Sequence, residues 1–277
     1  MVEDNSAMIY SYLSKQVIFS LNNKPPYICI SPSYRLKKYV KHYWLGLNNQ
    51  ATNYTVLPDG SVDIVIQYDG DLTTSMVYGT TTSRMDLDIS PNFHYVGIRF
   101  KPGMSRHFMN LSAQELTNAA ELSLDVLAFS LEEFSEQLPL NNITKRLDTL
   151  LERHLKNNQP DEDRLDQVIA LIEDSQGLLR IEDAVVYSGK SRRQFERIFK
   201  EAVGVSPKFF SLITRFSHAT TLITQLSQST LADIAADAGY SDQSHMNHDF
   251  KRMTGVTPKT FLRDYDAFLQ YTKKVES

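Results

Sequence analysis

The chain has 277 residues, of which 42% are hydrophobic and 22% are charged, and its formal net charge is −4. This length favours two domains, and the composition is typical of a globular protein. No apolar run approaches the roughly 20 residues that span a bilayer, and the first residues lack the basic and apolar regions of a signal peptide. Cys29 is the only cysteine, which excludes an intrachain disulfide and a cysteine zinc cluster. We therefore expect a reducing cytoplasm, and any attraction to phosphate must come from a local basic cluster.

The first part of the chain has the pattern of β-structure. Short segments rich in β-branched and aromatic residues alternate with turn-forming sequences such as Pro58-Asp59-Gly60. Strands at this spacing indicate a sandwich or a small barrel. The predicted strands are Tyr54–Leu57, Val62–Tyr68, Met76–Tyr78 and Phe93–Phe100.

Helical periodicity begins after Gly103. It predicts helices over Ala113–Ala120, Ser123–Gln137 and Asn142–Lys156. The third of these has an apolar stripe, which packs either within its own domain or against a second subunit. We favour the second subunit, because a helix beside a linker suits coupling between two domains.

Residues 157–163 are the best candidate for a linker, because they are polar, contain Pro160 and include no apolar residue. We predict an N-terminal domain over 1–156, this linker, and a C-terminal all-helical domain over 164–277, which gives an α+β chain of two domains. An apolar stripe from Leu165 to Ile172 starts the second domain. The predicted helices that follow are Ile181–Tyr187, Ser191–Ala202, Pro207–Leu226, Leu231–Ala238, Asp242–Met253 and Pro258–Tyr271.

One segment of the second domain occurs twice in similar form. FKEAVGVSPKFF, residues 199–210, is followed 51 positions later by FKRMTGVTPKTF, residues 250–261, and seven of the twelve positions are identical. Each copy contains a glycine suited to a left-handed helix end and then a Ser-Pro or Thr-Pro pair suited to starting the next helix. A short helix and a tight turn precede each second helix, which has a capping residue at Ser191 in one copy and at Ser241 or Asp242 in the other. The repeat therefore predicts two helix-turn-helix units.

The second helix of the first unit carries the densest basic cluster of its domain. Phe195, Ile198 and Phe199 are expected to face the core, which leaves a charged outer face able to grip guanine edges or phosphate. An isolated arginine-rich helix is usually solvated surface, but two units with shared caps favour the major groove of DNA. The predicted DNA-binding residues are Arg192, Arg193, Glu196, Arg197 and Lys200.

The second helix of the second unit presents mostly neutral hydrogen-bonding groups. Met246 and Phe250 are expected to face inward, and amide side chains on the outer face can read adenine. For His248 we weigh a base contact equally against an idle surface histidine. A helical repeat protein is the structural alternative, although two repeats are fewer than stable solenoids need. The predicted DNA-binding residues here are Gln243, Ser244, Asn247, His248 and Lys251.

These motifs resemble the C-terminal DNA-binding domain of the AraC/XylS family of bacterial transcription regulators. The resemblance covers about residues 162–266 and is carried by Ile234-Ala235, by the stretch from Gly239 to His245, and by Gly255-Val256-Thr257-Pro258. It implies that a long helix, Pro207–Leu226 with Arg215-x-x-x-Ala219, joins the two units. It also implies base contacts by Arg193, Arg197 and Glu196 in the first unit, and contact with RNA polymerase. His248 departs from the family, in which arginine is frequent at this position.

The N-terminal part is similar to a sensor domain found in some members of that family. The matching stretches are Tyr39-Val40-x-x-Tyr43-Trp44, Leu57-Pro58-Asp59-Gly60-Ser61-Val62-Asp63 and Gly97-Ile98-Arg99-Phe100-Lys101-Pro102-Gly103. The resemblance implies a cupin-like β-barrel followed by helices that often dimerise.

The polar residues of these stretches are candidates for an effector site. Trp44, Asp59, Asp63 and Arg99 would form it inside a barrel, whereas the structural alternative is turn chemistry and ion pairing between neighbouring strands, with Trp44 in the core. The histidine spacings fit no metal site, and we find no phosphate loop or nucleophile motif, so we expect no enzyme, metal or cofactor.

The sequence thus predicts a cytoplasmic regulator that binds double-stranded DNA and is controlled by a small-molecule effector or by homodimerisation, without a membrane partner. The rival hypothesis is a ligand-binding or protein-interaction module whose helical half has lost DNA binding. The acidic net charge and the neutral second helix favour that rival.

Overall fold

The computed structural model describes residues 27–46, 52–69, 73–134, 142–158, 163–225 and 229–263. Most of the predicted linker and the end of the last predicted helix, beyond residue 263, lie outside the described residues. No helix in the described ranges is long and apolar enough to cross a membrane.

The N-terminal part is built on an antiparallel sheet of six strands, in the order β1-β2-β7-β4-β5-β8. The remaining strands, β3 and β6, pair as a separate two-stranded ribbon. Among the described residues β1 and β8 pair on one side only, so the sheet is open. In chain order the strands are β1 Tyr27–Ile30, β2 Val40–Gly46, β3 Thr52–Val56, β4 Asp63–Tyr68, β5 Thr73–Tyr78, β6 Met85–Ile89, β7 His94–Phe100 and β8 Ala120–Leu122.

The core of this sheet follows from the two-residue alternation of its central strands. Ile64 and Ile66 on β4 are fully buried opposite Val96 and Ile98 on β7. The mixed α+β class predicted from the sequence is confirmed, whereas the cupin-like barrel stays a prediction.

Two of the predicted N-terminal helices are wrong. Residues 113–118 form turns and Ala120 already begins β8, while α1, Ser123–Val126, is one turn long before the chain becomes extended at Leu127. Leu127 pairs with Met109 as an isolated β-bridge, so its apolar side chain reaches the core from extended backbone. Tertiary packing here overrides the local periodicity on which the prediction depended.

The long helix α2, Ile143–Asn158, buries its apolar stripe in its own domain. Leu147 and Leu151 are fully buried in the same cluster as Ile64 and Ile98. On the polar side, Asp148 accepts hydrogen bonds from the Tyr43 hydroxyl at 2.8 Å and from the Ser33 amide at 2.9 Å. The expectation that this stripe lies against a second subunit is therefore wrong.

The C-terminal part is helical and has its own core. Its helices are α3 Arg164–Asp174, α4 Ile181–Ser188, α5 Arg192–Val203, α6 Pro207–Gln225, α7 Leu231–Asp237 and α8 Gln243–Thr254, followed by helix at 258–263. The long helix α6 joins two aromatic clusters. Phe210 near its start packs on Phe199 of α5 with ring centroids 5.7 Å apart, and Phe216 further along packs on Phe250 of α8 at 4.9 Å.

Candidate nucleic-acid interface

The first helix-turn-helix unit is formed by α4 and α5. Gly189 ends α4 in the left-handed conformation, with φ of 67°, which turns the chain sharply toward α5. Ser191 then caps α5, where its hydroxyl accepts a hydrogen bond from the Gln194 amide. Gly204 ends α5 at φ 90°. The predicted cap and the predicted glycine terminus are confirmed.

The faces of α5 divide as the sequence predicts. Phe195 and Phe199 are fully buried, while all five predicted DNA-binding residues of this helix are exposed. Two of the cations have acidic partners on the surface. The Arg192 guanidinium lies 3.1 Å from Glu196 and 3.3 Å from Glu182, and the Arg197 guanidinium lies 2.8 Å from Glu201.

These surface pairs leave the outer face of α5 able to bind an anion. Arg192 and Arg197 remain 62% exposed, and exposed pairs of this kind are weak. Phosphate or a guanine edge can therefore replace the glutamate partners at small cost.

The second unit, α7 and α8, repeats this construction. Thr230 and Asp233 form a reciprocal capping box at the start of α7. Asp242 caps α8 by accepting a hydrogen bond from the His245 amide at 2.8 Å, which resolves the choice between Ser241 and Asp242. Gly255 ends α8 at φ 79°.

The outer face of α8 is polar and partly exposed. Met246 and Phe250 are fully buried, as predicted. Ser244, His248 and Lys251 are exposed, whereas Gln243 and Asn247 are half-buried. The five predicted residues therefore lie along one accessible side, with the two amides nearest the body of the domain.

A buried carboxylate under this face was missed by the sequence reasoning. Asp249 is 3% exposed, and its two oxygens lie 3.6 Å from His248 Nδ1 and 3.9 Å from His245 Nε2. The same carboxylate helps to raise the pKa of the Tyr240 hydroxyl, after the larger effect of burial. The only signal in the sequence was an aspartate four positions after one histidine and beside another.

Arg215 on α6 connects the turn after α3 to the second unit. Its guanidinium donates to the carbonyl of Gly177, which follows α3, and lies 5.5 Å from the centre of the Tyr240 ring in the turn before α8. Arg215, which the sequence resemblance singled out, thus contacts both the body of the C-terminal domain and the second unit.

The four predicted effector residues form one polar network between β2, β4 and β7. The Trp44 indole donates to Asp63 at 3.0 Å, and the Arg99 guanidinium contacts Asp59 at 2.6 Å and Asp63 at 3.2 Å. Burial alone would raise the pKa of Asp59, but Arg99 and Lys41 hold it well below its usual range.

The ion pairing in this network matches the structural alternative, whereas Trp44 is half-buried rather than in the core. Arg99 pairs with a carboxylate on the neighbouring strand, and the Trp44 ring packs directly on Gly97, where no side chain would fit. These contacts occupy the groups that a ligand would otherwise bind.

One edge of the network opens into a cleft of about 230 Å³ between the two domains. Lys41 and Asp59 line it on the N-terminal side, and Glu173, Gln176 and residues of α6 line it on the other. The α6 residues are Ile213, Thr214, Ser217, His218 and Thr221. The lining is polar and carries both charges. Within the described residues, no group of three or more His, Cys, Asp or Glu is placed to hold a metal ion.

Comparisons with known proteins match the two parts of the chain separately. Residues 29–121 match the model of a domain of unknown function (DUF6597), and residues 186–264 match the model of a helix-turn-helix domain. An uncharacterised HTH-type transcriptional regulator of Haemophilus influenzae is 33% identical over 96 residues, which are 35% of this chain and 32% of that protein. The F1 operon positive regulatory protein of Yersinia pestis is 34% identical over 83 residues, which are 30% of this chain and 27% of that protein.

The chain thus matches about a third or less of the length of these curated relatives. Among solved structures, a transcriptional regulator of the AraC-type DNA-binding class from Chromobacterium violaceum has 28% identity and a TM-score of 0.35. That match covers 40% of this chain and 96% of the other.

Proposed function

We propose that the chain is, through its C-terminal helix-turn-helix domain, an AraC-type transcriptional regulator that binds specific double-stranded DNA with α5 and α8. The observation that carries this proposal is a pair of helix-turn-helix units whose second helices both start at a side-chain cap, end at a left-handed glycine and pack against the same long helix α6. A rigid connection fixes the separation of the two reading helices, as two successive major grooves on one face of DNA require.

The two helices have different chemistry and are proposed to read different bases. Arg193 and Arg197 on α5 suit the paired acceptors of guanine, and Glu196 suits the amino group of cytosine. Gln243 and Asn247 on α8 suit adenine. Arg192, Lys200 and Lys251 are proposed to contact phosphates, while Ser244 and His248 are proposed to contact the neighbouring groove edge.

A selection from random duplex DNA with the full chain tests this function. We expect two unlike half-sites about one helical turn, roughly 34 Å, apart. Arg193→Ala with Arg197→Ala should erase the first half-site, and Gln243→Ala with Asn247→Ala should erase the second. Lys145→Ala, on the N-terminal helix α2, is the matched control.

The rival, an interaction module without DNA binding, draws support from the acidic partners of Arg192 and Arg197 and from the neutral face of α8. Titrating salt separates the two hypotheses. A DNA reader should lose affinity steeply as salt rises, with a slope that counts its phosphate contacts. Absence of enrichment together with a flat salt response would favour the rival.

We also propose that a small polar effector controls the protein by binding in the cleft between the domains. Lys41, Asp59 and Glu173 offer charges of both signs, and the hydroxyls of α6 offer neutral partners. The Arg99 network with Trp44, Asp59 and Asp63 would then hold the N-terminal wall of the cleft rather than contact the ligand. Isothermal titration with pooled amino acids, sugars and polyols tests this. Binding should weaken in Ser217→Trp, which fills the cleft, and persist in Thr149→Trp on α2.

The remaining expectations are proposals of the same kind. They are a cupin-like origin of the sheet, domains at 1–156 and 164–277 with a linker at 157–163, a homodimer, contact with RNA polymerase, and a cytoplasmic location. Limited proteolysis should cut first at the linker. Analytical ultracentrifugation of the full chain should report the dimer.

A further inference from the structure

The two copies of the repeated segment have different surroundings. Gly204 and Gly255 occupy the same position, both have positive φ, and both donate an amide hydrogen bond of 2.9 Å to the lysine carbonyl four residues before them. A side chain at Gly204 would meet the carbonyl of Ala113 and the hydroxyl of Thr117, each at 3.0 Å. Around a side chain placed at Gly255, no atom of the described residues lies within 4 Å. One copy of the junction is therefore covered by the N-terminal domain, and the other is open.

The cover consists of hydrogen bonds to the last carbonyl groups of α5. The Ala113 amide donates to Glu201 O at 2.9 Å, the Thr80 hydroxyl donates to Val203 O at 2.8 Å, and the Thr117 hydroxyl donates to Gly204 O at 2.8 Å. The last carbonyls of a helix have no partner within the helix, so these groups supply bonds that water or a local cap would otherwise provide.

At the end of α8 the partners are local. The Thr254 hydroxyl donates to Phe250 O at 2.7 Å and also lies 3.1 Å from Val256 O. Position 254 corresponds to Val203 in the first copy, where the side chain has no hydroxyl. These two carbonyls correspond to those of Phe199 and Val205 in the first copy, not to the three that the N-terminal domain contacts. Among the described residues, only the first copy therefore has the carbonyls at its helix end bonded by another domain.

A second set of contacts joins the N-terminal domain to the first half of the C-terminal domain, which contains α3 and the first helix-turn-helix unit. Arg106 and Lys38 both pair with Asp166 of α3, which is 8% exposed. Among the described residues, the hydrogen bonds and ion pairs between the two domains end on α3, α5 and Gly204, and none ends on α7 or α8.

We propose that the N-terminal domain positions α5 for DNA through Thr80, Ala113 and Thr117, and that α8 reads its half-site without this support. Thr80 and Thr117 are then positioning residues for the first half-site. This inference rests on the proposed DNA-binding function. It places control by the N-terminal domain on one reading helix, because its hydrogen bonds reach the end of α5 and Gly204, and among the described residues none reaches α8.

The test uses the full chain and the DNA site recovered by selection, intact or with either half-site scrambled. Thr80→Val with Thr117→Val removes both hydroxyls at nearly constant volume and leaves two buried carbonyls unpaired. We expect roughly tenfold weaker binding to DNA that keeps the first half-site, and unchanged binding to DNA that keeps only the second. Thr80→Ser with Thr117→Ser retains the hydroxyls and should restore the affinity. Thr149→Val is the control, because its hydroxyl bonds back to the Lys145 carbonyl within α2 of the N-terminal domain and lies away from α5.

The two glycines provide an independent comparison. Gly204→Ala and Gly255→Ala impose similar left-handed backbone strain, but only Gly204→Ala pushes against the N-terminal domain. The first change should weaken reading of the first half-site more than the second change weakens reading of the second. Equal losses at the two half-sites for either set of variants, or no loss in the valine pair, would overturn the inference. Failure of the wild-type chain to bind any DNA would instead overturn the proposed function on which it rests.

Discussion

Arg193 and Arg197 lie one turn apart on the exposed face of α5, and they differ in their surroundings. Arg197 has Glu201 as a partner at 2.8 Å, whereas among the described residues no ion pair involves Arg193. A guanidinium that binds guanine with two hydrogen bonds contributes about 1–3 kcal/mol of discrimination. We expect Arg193→Ala to lose binding free energy of this order and to relax the sequence preference at one position, measured by fluorescence anisotropy on single-base variants.

The loss at Arg197→Ala should be smaller, because the free protein gives up its pair with Glu201 when it binds DNA. Glu201→Gln should for the same reason strengthen binding slightly. A larger loss at Arg197 than at Arg193 would contradict this ordering.

His248 offers a gain of affinity by a single change. Its side chain is 77% exposed and lies beside the buried carboxylate of Asp249. Arginine at this position would add a permanent charge and a longer reach toward phosphate. We expect His248→Arg to strengthen binding and to steepen the salt dependence by about one phosphate contact, roughly 0.9 in the slope of log K against log salt. The matched control is His218→Arg on α6, and an unchanged slope in His248→Arg would speak against a phosphate near this position.

The burial of Asp249 could not be predicted from the sequence at the level of single residues. The outward positions of α5 and α8 follow from helix geometry alone, because Phe195, Phe199, Met246 and Phe250 fix the inner face. A carboxylate inside a polar helix gives no such pattern. Its burial arises only in the folded domain, where it lies close enough to Tyr240 to help raise the pKa of that hydroxyl.

At the scale of elements, the capping box of α7 provides a local test. The helix has seven residues, and a helix this short depends strongly on its ends. Thr230→Ala removes the hydroxyl that accepts from the Asp233 amide, and we expect it to lower the free energy of unfolding by about 1 kcal/mol. Chemical denaturation measures the change. Thr149→Ala, whose hydroxyl bonds back within α2, should cost clearly less.

The helices of the C-terminal domain were predictable because the capping residues, the glycines and the apolar spacing all indicate the same helix bounds. The N-terminal part lacks that agreement. β6 carries aspartates at every second position, so it looks polar, and it is a strand because it pairs with β3. The segment 113–120 looks helical, yet residues 113–118 form turns and Ala120 begins β8, and hydrogen bonds with Gly79 and Thr80 after β5 and with the end of α5 hold this backbone. Long-range partners decide both cases, and a local pattern contains no information about them.

At the scale of the whole molecule, two histidines make stability sensitive to acid. Burial, with Arg99 and Lys41 nearby, lowers the pKa of His42 from 6.5 to about 4, and burial with Arg106 lowers that of His107 to about 4. The folded state therefore favours neutral imidazoles, and the unfolded chain binds more protons between these values. Stability should fall as the pH is lowered from about 6.5 to about 4, and these two groups add no further loss below that range.

Thermal melts across this range in wild type and in His42→Gln with His107→Gln measure the effect. The double variant should show a flatter dependence between pH 6.5 and 4. Both proteins should still lose stability below about pH 4, because the unfolded chain then protonates Asp59, whereas the fold lowers the pKa of this carboxyl and keeps it ionised. Parallel curves above pH 4 would show that the histidines are not the source.

The unequal cover of Gly204 and Gly255 also bears on how the two halves of the repeat can diverge. Gly255 satisfies one requirement, a left-handed backbone, which asparagine also tolerates. Gly204 satisfies that requirement and also lies against the N-terminal domain. Any side chain at this position would press on that domain, so only glycine fits without a shift. In a saturation library selected for DNA binding, asparagine should survive at 255 and be lost at 204. The contact with the N-terminal domain thus restricts which substitutions the first copy of the segment tolerates, while the second copy tolerates more of them.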